Sequence, residues 1–205
     1  ELLRKELGVR KLSIVGHSMG AVLASAYATR YPQRVRKLIL MTPAFLRYPV
    51  PEADKELQNE GYQASQAFMA RPEVNKEFEK YGLNKNQLTS REQTARFRIN
   101  FARLMLYDVS KWNGLGGGRA LYKGNVFNLV EKSYPKSGWD YIAVFRKWGY
   151  PVNIIAASHD FLDFNNLLIR KWTKDIPNIK VVTIENAGHM LTVDQPEMFA
   201  RELGK

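Results

Sequence analysis

"SIVGHSMGAVLASA", residues 13–26, sets a serine between two glycines where an apolar run gives way to a stretch of small residues. "LSIV" (12–15) reads as a strand. From the turn to about Arg30 the chain reads as a helix with Val22, Leu23, Ala26 and Tyr27 on its inner face, ended by Pro32. A Gly-x-Ser-x-Gly match alone decides little, since a chain of this length contains one by chance about 7% of the time. Its context decides more. A strand that enters a helix through so sharp a turn strains the middle residue and lifts its side chain above the sheet, while Gly16 and Gly20 leave room for the crowded backbone. The start of the helix then faces the serine oxygen, so the Met19 N–H can donate to an oxyanion and the helix dipole favours negative charge there. Ser18 is on this reading a nucleophile rather than a polar residue in an ordinary turn.

Outward from the turn, "VRKLILM" (35–41) is a second continuous apolar strand, and strand, helix and strand together form the unit of a buried parallel sheet. Upstream, "ELLRKELGVRK" spaces Leu2, Leu3 and Leu7 as a short amphipathic helix. Downstream of Pro43 the character changes: amphipathic helices are expected near 52–70, 72–81 and 88–108, followed by an irregular Gly- and aromatic-rich stretch, with no strand alternating. The sheet pattern resumes at "PVNIIAAS" (151–158), passes through a helix in "NNLLIRKWTKDI", returns in "IKVVTI" and closes with a helix from about Pro196. The expected fold is an α/β parallel sheet interrupted by one large helical insertion. Its parts are 1–45 (sheet with the serine turn), 46–149 (helical insertion) and 150–205 (the rest of the sheet).

Serine is a poor nucleophile at neutral pH and needs a base held by a third group. Three histidines are available. His17 lies inside the turn, where it cannot also reach the hydroxyl, and reads as packing around it. His159 precedes an acid at a strand end and should point away from whatever Asp160 faces. His189, in "ENAGHM" after the last strand and next to Gly188, sits where sites collect in such sheets, beyond the carboxyl ends of strands. The orienting acid should lie beyond a neighbouring strand, where "NIIAASHDFLD" offers Asp160, the nearer, and Asp163. Ser18, Asp160, His189 is the nucleophile, acid, base order of one serine-hydrolase arrangement and not that of the two well-known serine protease folds.

With these residues in place the chain resembles the α/β-hydrolase superfamily. "GHSMGA" is similar to its nucleophile elbow, "PVNIIAASHD" to its acid strand with Ala157 where members usually have Gly, and "NAGHMLTVDQPEMF" to its base loop and final helix. The resemblance covers residues 1–45 and 150–205 and places Ser18, Asp160 and His189 at the nucleophile, acid and base positions. It makes 46–149 a cap over the site. Members carry four further strands and an oxyanion-hole loop before the helix that opens this chain. The expectation is therefore that these residues are the C-terminal part of a longer protein, with a missing N-terminal segment or a second chain completing the sheet. A second oxyanion donor cannot be assigned to any of the 205 residues.

The resemblance implies a serine hydrolase acting on an ester or amide in a small molecule or short peptide. The cap is more faintly similar to that of proline iminopeptidase-like members, through "GNVFNLVEKSYPKSGWDYIAVFRKWGYPV". That likeness implies an aminopeptidase, with Glu52, Glu56, Glu60, Glu73 and Glu131 as candidate carboxylates for a free amino terminus. A third reading, from another class, is a binding protein that keeps the scaffold without the chemistry. Trp112, Trp139 and Trp148 could line an apolar pocket or pack in the core. Gly114, Gly116, Gly117 and Gly118 lack the lysine and spacing of a phosphate loop and read as a turn.

Composition bounds the rest. Hydrophobic residues at 45% and charged residues at 25% are ordinary globular values, and no apolar run is long enough for a membrane span. A net charge of +11 is spread among acids, so a nucleic-acid partner is not expected, although an acidic substrate or partner would be attracted. There is no Cys, which removes thiol chemistry and disulfides, and no His and carboxylate cluster with metal-ligand spacing, so neither metal nor cofactor is expected. The first residue is Glu, which leaves localisation open.

Overall fold

Two strands of this chain are apolar almost without interruption, and they form the centre of the sheet. A computed structural model describes residues 1–116 and 124–204, with the side chains at 126, 127, 130 and 131 also outside the description. Gly117, Gly118 and the Glu131 side chain therefore lie outside the described residues. The chain opens with α1 (Leu2–Glu6), β1 (Leu12–His17), α2 (Met19–Arg30) and β2 (Val35–Met41). Between β2 and the next long strand lie β3 (Arg47–Tyr48), α3 (Lys55–Met69), α4 (Pro72–Lys80), α5 (Ser90–Met105), α6 (Gly124–Lys132), β4 (Trp139–Asp140) and α7 (Tyr141–Phe145). The sheet then resumes with β5 (Val152–Ala157), α8 (Leu167–Thr173), β6 (Ile179–Ile184), α9 (Leu191–Asp194) and α10 (Pro196–Leu203).

Four parallel strands stand in the order β1-β2-β5-β6. Alternation along the two central strands sends side chains to opposite faces and builds two cores. Leu38, Leu40, Ile154 and Ala156 pack with α2, α7 and α8 on one face. Ile39, Met41, Ile155 and Ala157 pack with Ile184, Leu191 and the α10 residue Phe199 on the other. At the ends of the described sheet, β1 and β6 are less buried, and Val15 on β1 is half exposed.

α2 departs from the expected inner face. Ala21, Val22, Ala24, Ser25 and Ala28 are buried, whereas Leu23 is 72% exposed. Small side chains let the helix lie close to β1, and a Cβ at Gly16 would stand 2.4 Å from the Gly20 carbonyl oxygen and 2.7 Å from Ala21 Cα. A Cβ at Gly20 would meet nothing within 4 Å, so only the first glycine of the turn is required by close approach. α1 keeps Leu2, Leu3 and Leu7 exposed rather than burying them.

The helical stretch has a core of its own, formed by Val74, Leu83, Ile99, Ala102, Leu106, Val109 and Trp112. One expectation fails here: strands do occur in it, because β3 and β4 pair as a short antiparallel ribbon where the chain leaves and re-enters the sheet region. Trp139 on β4 stacks on Tyr48 and donates to the Phe45 carbonyl at 2.9 Å. Trp112 lies in the helical core and Trp148 packs on Phe145 and Tyr150, so all three tryptophans serve packing. Among the described residues no helix is long and apolar enough to cross a membrane.

Candidate active site

Ser18 sits between the end of β1 and the first turn of α2 with φ 54° and ψ −124°, a conformation that costs a non-glycine residue about 1–3 kcal/mol. Three backbone hydrogen bonds hold it there. Its N–H donates to the Met41 carbonyl at 3.1 Å, and its own carbonyl accepts from the N–H groups of Ala21 at 2.9 Å and Ala44 at 3.2 Å. The start of α2, with the Met19 N–H, lies directly after it.

His189 occupies the loop between β6 and α9 and is buried together with Asp160. Its Nδ1 is 2.9 Å from Asp160 Oδ1, an oxygen that also accepts the Leu162 N–H at 3.1 Å. With Nδ1 bonded to a carboxylate, Nε2 is the nitrogen left to face outward. The edge-on Phe161 ring, with its centroid 5.0 Å away, fixes the plane of the imidazole. Asp163 goes elsewhere. Its two oxygens accept the Leu168 and Ile169 N–H groups, each at 2.9 Å, and so anchor the start of α8. Burial raises its pKa to about 6 despite those bonds.

The other two histidines have partners of their own. His17 Nε2 lies 3.2 Å from the His189 carbonyl oxygen, so it braces the backbone of the base loop; burial lowers its pKa. His159 turns away from the Asp160–His189 pair. Its Nδ1 is 2.8 Å from Ser158 Oγ and its ring sits among Phe68, Tyr107 and Phe164, where burial lowers its pKa as well.

Two supporting residues had no signal in the sequence. Thr42, with φ 33°, donates its hydroxyl to the His189 carbonyl at 2.9 Å. Asp194 is buried and accepts three backbone N–H groups, from Gly188 at 2.8 Å, Tyr107 at 2.8 Å and Asp108 at 3.1 Å. It thereby ties the base loop to the end of α5. Gly188 is needed in that junction because a Cβ would stand 2.6 Å from the Met105 carbonyl oxygen.

A cleft of about 600 Å³ opens above the turn and is lined by Ser18, His17, His189, Met190, Leu115 and Gly116 together with Thr94, Phe97, Arg98, Phe101 and Met105 of α5. Ser18 and His189 thus share one cleft, and Ser18 Oγ makes no hydrogen bond among the described residues. None of the described residues lining it is Asp or Glu. Glu52, Glu56 and Glu60 are exposed at and after the turn that opens α3, and Glu73 lines a separate cavity with Phe68, Arg71 and Tyr107. Among the described residues no group of three His, Cys, Asp or Glu side chains stands where it could hold a metal ion.

The family model of the alpha/beta hydrolase fold matches residues 1–196. The chain belongs to the alpha/beta hydrolase fold family. Within the family it is 24% identical over 201 residues to a putative 2-succinyl-6-hydroxy-2,4-cyclohexadiene-1-carboxylate synthase of Bacillus subtilis, covering 96% of this chain and 65% of that protein. It is 39% identical over 54 residues to the (lyso)-N-acylphosphatidylethanolamine lipase of Bos taurus, covering 26% of this chain and 15% of the lipase. The solved structure of an alpha/beta fold family hydrolase from Bacillus anthracis str. Sterne superposes with a TM-score of 0.64 at 19% identity, covering 98% of this chain and 69% of that one. The matches thus span less than two thirds of these curated relatives.

Proposed function

We propose that this hydrolase-fold chain carries a serine-dependent acyl hydrolase site, with residues 46–149 as the cap that roofs it. The observation that supports this reading best is the 2.9 Å Asp160–His189 pair opening on the same cleft as Ser18. Asp160 holds the imidazole in the tautomer that leaves Nε2 free of its proton. Nε2 takes the Ser18 proton as Oγ attacks the acyl carbon, and the resulting oxyanion accepts the Met19 N–H at the positive end of α2. The imidazolium then protonates the leaving group. Water repeats the sequence on the acyl-enzyme, with His189 as base, and restores the serine.

Within this chemistry an ester is favoured over a peptide with a free amino terminus. Recognition of an ammonium group calls for carboxylates, and the described lining of the cleft offers none. Its lining is instead dominated by Phe97, Phe101, Met105, Leu115 and Met190. That apolar surface suits an acyl chain, and one relative is named as a lipase of an acylated phospholipid.

The test is mass-spectrometric mapping of a fluorophosphonate probe on the folded protein, with Ser18→Ala and His189→Ala alongside. Labelling confined to Ser18 and lost in both variants supports the reading. On a cleaved ester, Ser18→Ala should lower turnover by about 10³-fold or more, as for units whose members act together. Full turnover by that variant overturns it, and an unlabelled Ser18 in folded protein favours a scaffold that only binds.

A further inference from the structure

One wall of the cleft is a single helix. Thr94, Phe97, Arg98, Phe101 and Met105 of α5 all line it, spaced by three and four residues as one helical stripe. A neighbouring stripe, Ile99 and Ala102 with Leu106 just past the helix end, is buried in the helical core and fixes the rotation of α5. Met105 marks the inner end, for its carbonyl accepts the Met190 N–H at 3.0 Å, one residue from His189. Arg98 is seven residues further out, about 10 Å at 1.5 Å per residue. From the base loop the wall therefore runs over Met105 and Phe101 to Arg98 and Phe97, with Thr94 beyond them, and so sets a guanidinium among apolar side chains.

Among the described residues nothing acidic answers that guanidinium. Among the described residues Arg98, which is exposed, has no ion pair or hydrogen bond, and the described lining of the cleft contains no carboxylate. Phe97 and Phe101 beside it are 71% and 44% exposed, an apolar area that water covers poorly. A guanidinium presents a planar fork of donors that matches the oxygens of a carboxylate or phosphate.

We infer that the site takes an amphiphilic ester whose apolar chain lies along Met105, Phe101 and Phe97 and whose anionic group, a carboxylate or a phosphate, is held by Arg98. This specificity rests on the acyl-hydrolase reading of the same cleft. Arg98 stands about 10 Å of helix rise from Met105, so it selects the substrate from a part of the wall away from the base loop.

Binding tests it apart from chemistry. The Ser18→Ala protein is titrated calorimetrically with octyl phosphate, octanoate and octanol below their aggregation limits. At least one anion should bind about tenfold or more tightly than octanol, and the better one identifies the source of the charge. Arg98→Gln in that background should bring the anion-to-alcohol ratio close to one, whereas Arg91→Gln, exposed on the same helix but outside the cleft lining, should keep it. Equal binding of all three ligands overturns the inference. So does an equal loss in Arg91→Gln, which would assign the preference to the +11 net charge. An effect seen only on anionic vesicles also overturns it and makes α5 a lipid-facing surface. Fluorophosphonate mapping fails or succeeds independently of these outcomes, so the two readings fall separately.

Discussion

Gly16 and Gly20 look alike in "GHSMG", yet their backbones meet different surroundings. A methyl at Gly16 would collide with the Gly20 carbonyl and Ala21, both backbone, so α2 would have to lift away from β1. Gly16→Ala should therefore destabilise by about 2–4 kcal/mol, in the range of overpacked cores and strained backbones, and Gly20→Ala by less than about 1 kcal/mol. Urea midpoints of the two variants check this, and equal losses would mean that the helix does not ride as close to the strand as described. A similar contrast separates the acids. Asp160 and Asp163 stand three residues apart in one loop, and only the folded chain shows one turned to His189 and the other to the start of α8. The preference for Asp160 was legible in the sequence because it follows the strand sooner. The task of Asp163 was not, since it depends on where α8 begins.

Between elements, single buried carboxylates fasten the helical stretch to the sheet. Asp194 bonds the base loop through Gly188 and the end of α5 through Tyr107 and Asp108. Removing it leaves three N–H groups without an acceptor, so Asp194→Ala should cost about 3–5 kcal/mol and Asp194→Asn less. On the proposed mechanism the Asn variant should also lower kcat while leaving fluorophosphonate labelling confined to Ser18, because His189 follows Gly188. A variant as stable as the parent would remove Asp194 from this role. At the other end, the buried Asp54 accepts from Trp172 Nε1 at 2.7 Å and pairs with Lys171 at 2.7 Å, joining the start of α3 to α8. Asp54→Ala leaves the indole N–H without a partner, and a loss of about 3 kcal/mol in a denaturant titration is expected. Neither residue carries a sequence signature, because each bonds groups more than eighty positions away.

At the scale of the molecule these carboxylates give stability a pH dependence with two signs. Burial holds the Asp163 proton to about pH 6 in the folded protein, against 3.8 for the ordinary group, so folding takes up a proton in that window. Stability should fall as pH rises from about 4 to about 6, and Asp163→Asn should flatten that slope in urea titrations; an unchanged slope would refute the assignment. Asp54 has the opposite sign. Burial pushes its pKa up, but the bonds from Lys171 and Trp172 prevail and hold it below 3.8, so its contribution is complete above that value and is lost as pH falls through the lower one. The sequence by itself determined the parallel sheet, the serine turn and the order of Ser18, Asp160 and His189, because strand periodicity and turn chemistry are local properties of the chain. Its expected inner face for α2 failed at Leu23, since closeness to β1, not hydrophobicity, chose Ala21, Ala24 and Ala28 for burial. Only the tertiary structure decided that Thr42 and Asp194 support the base loop and that α5 walls the cleft with Phe97, Arg98 and Phe101. Those roles arise from contacts between segments far apart in sequence, and no local pattern records which helix face meets which loop.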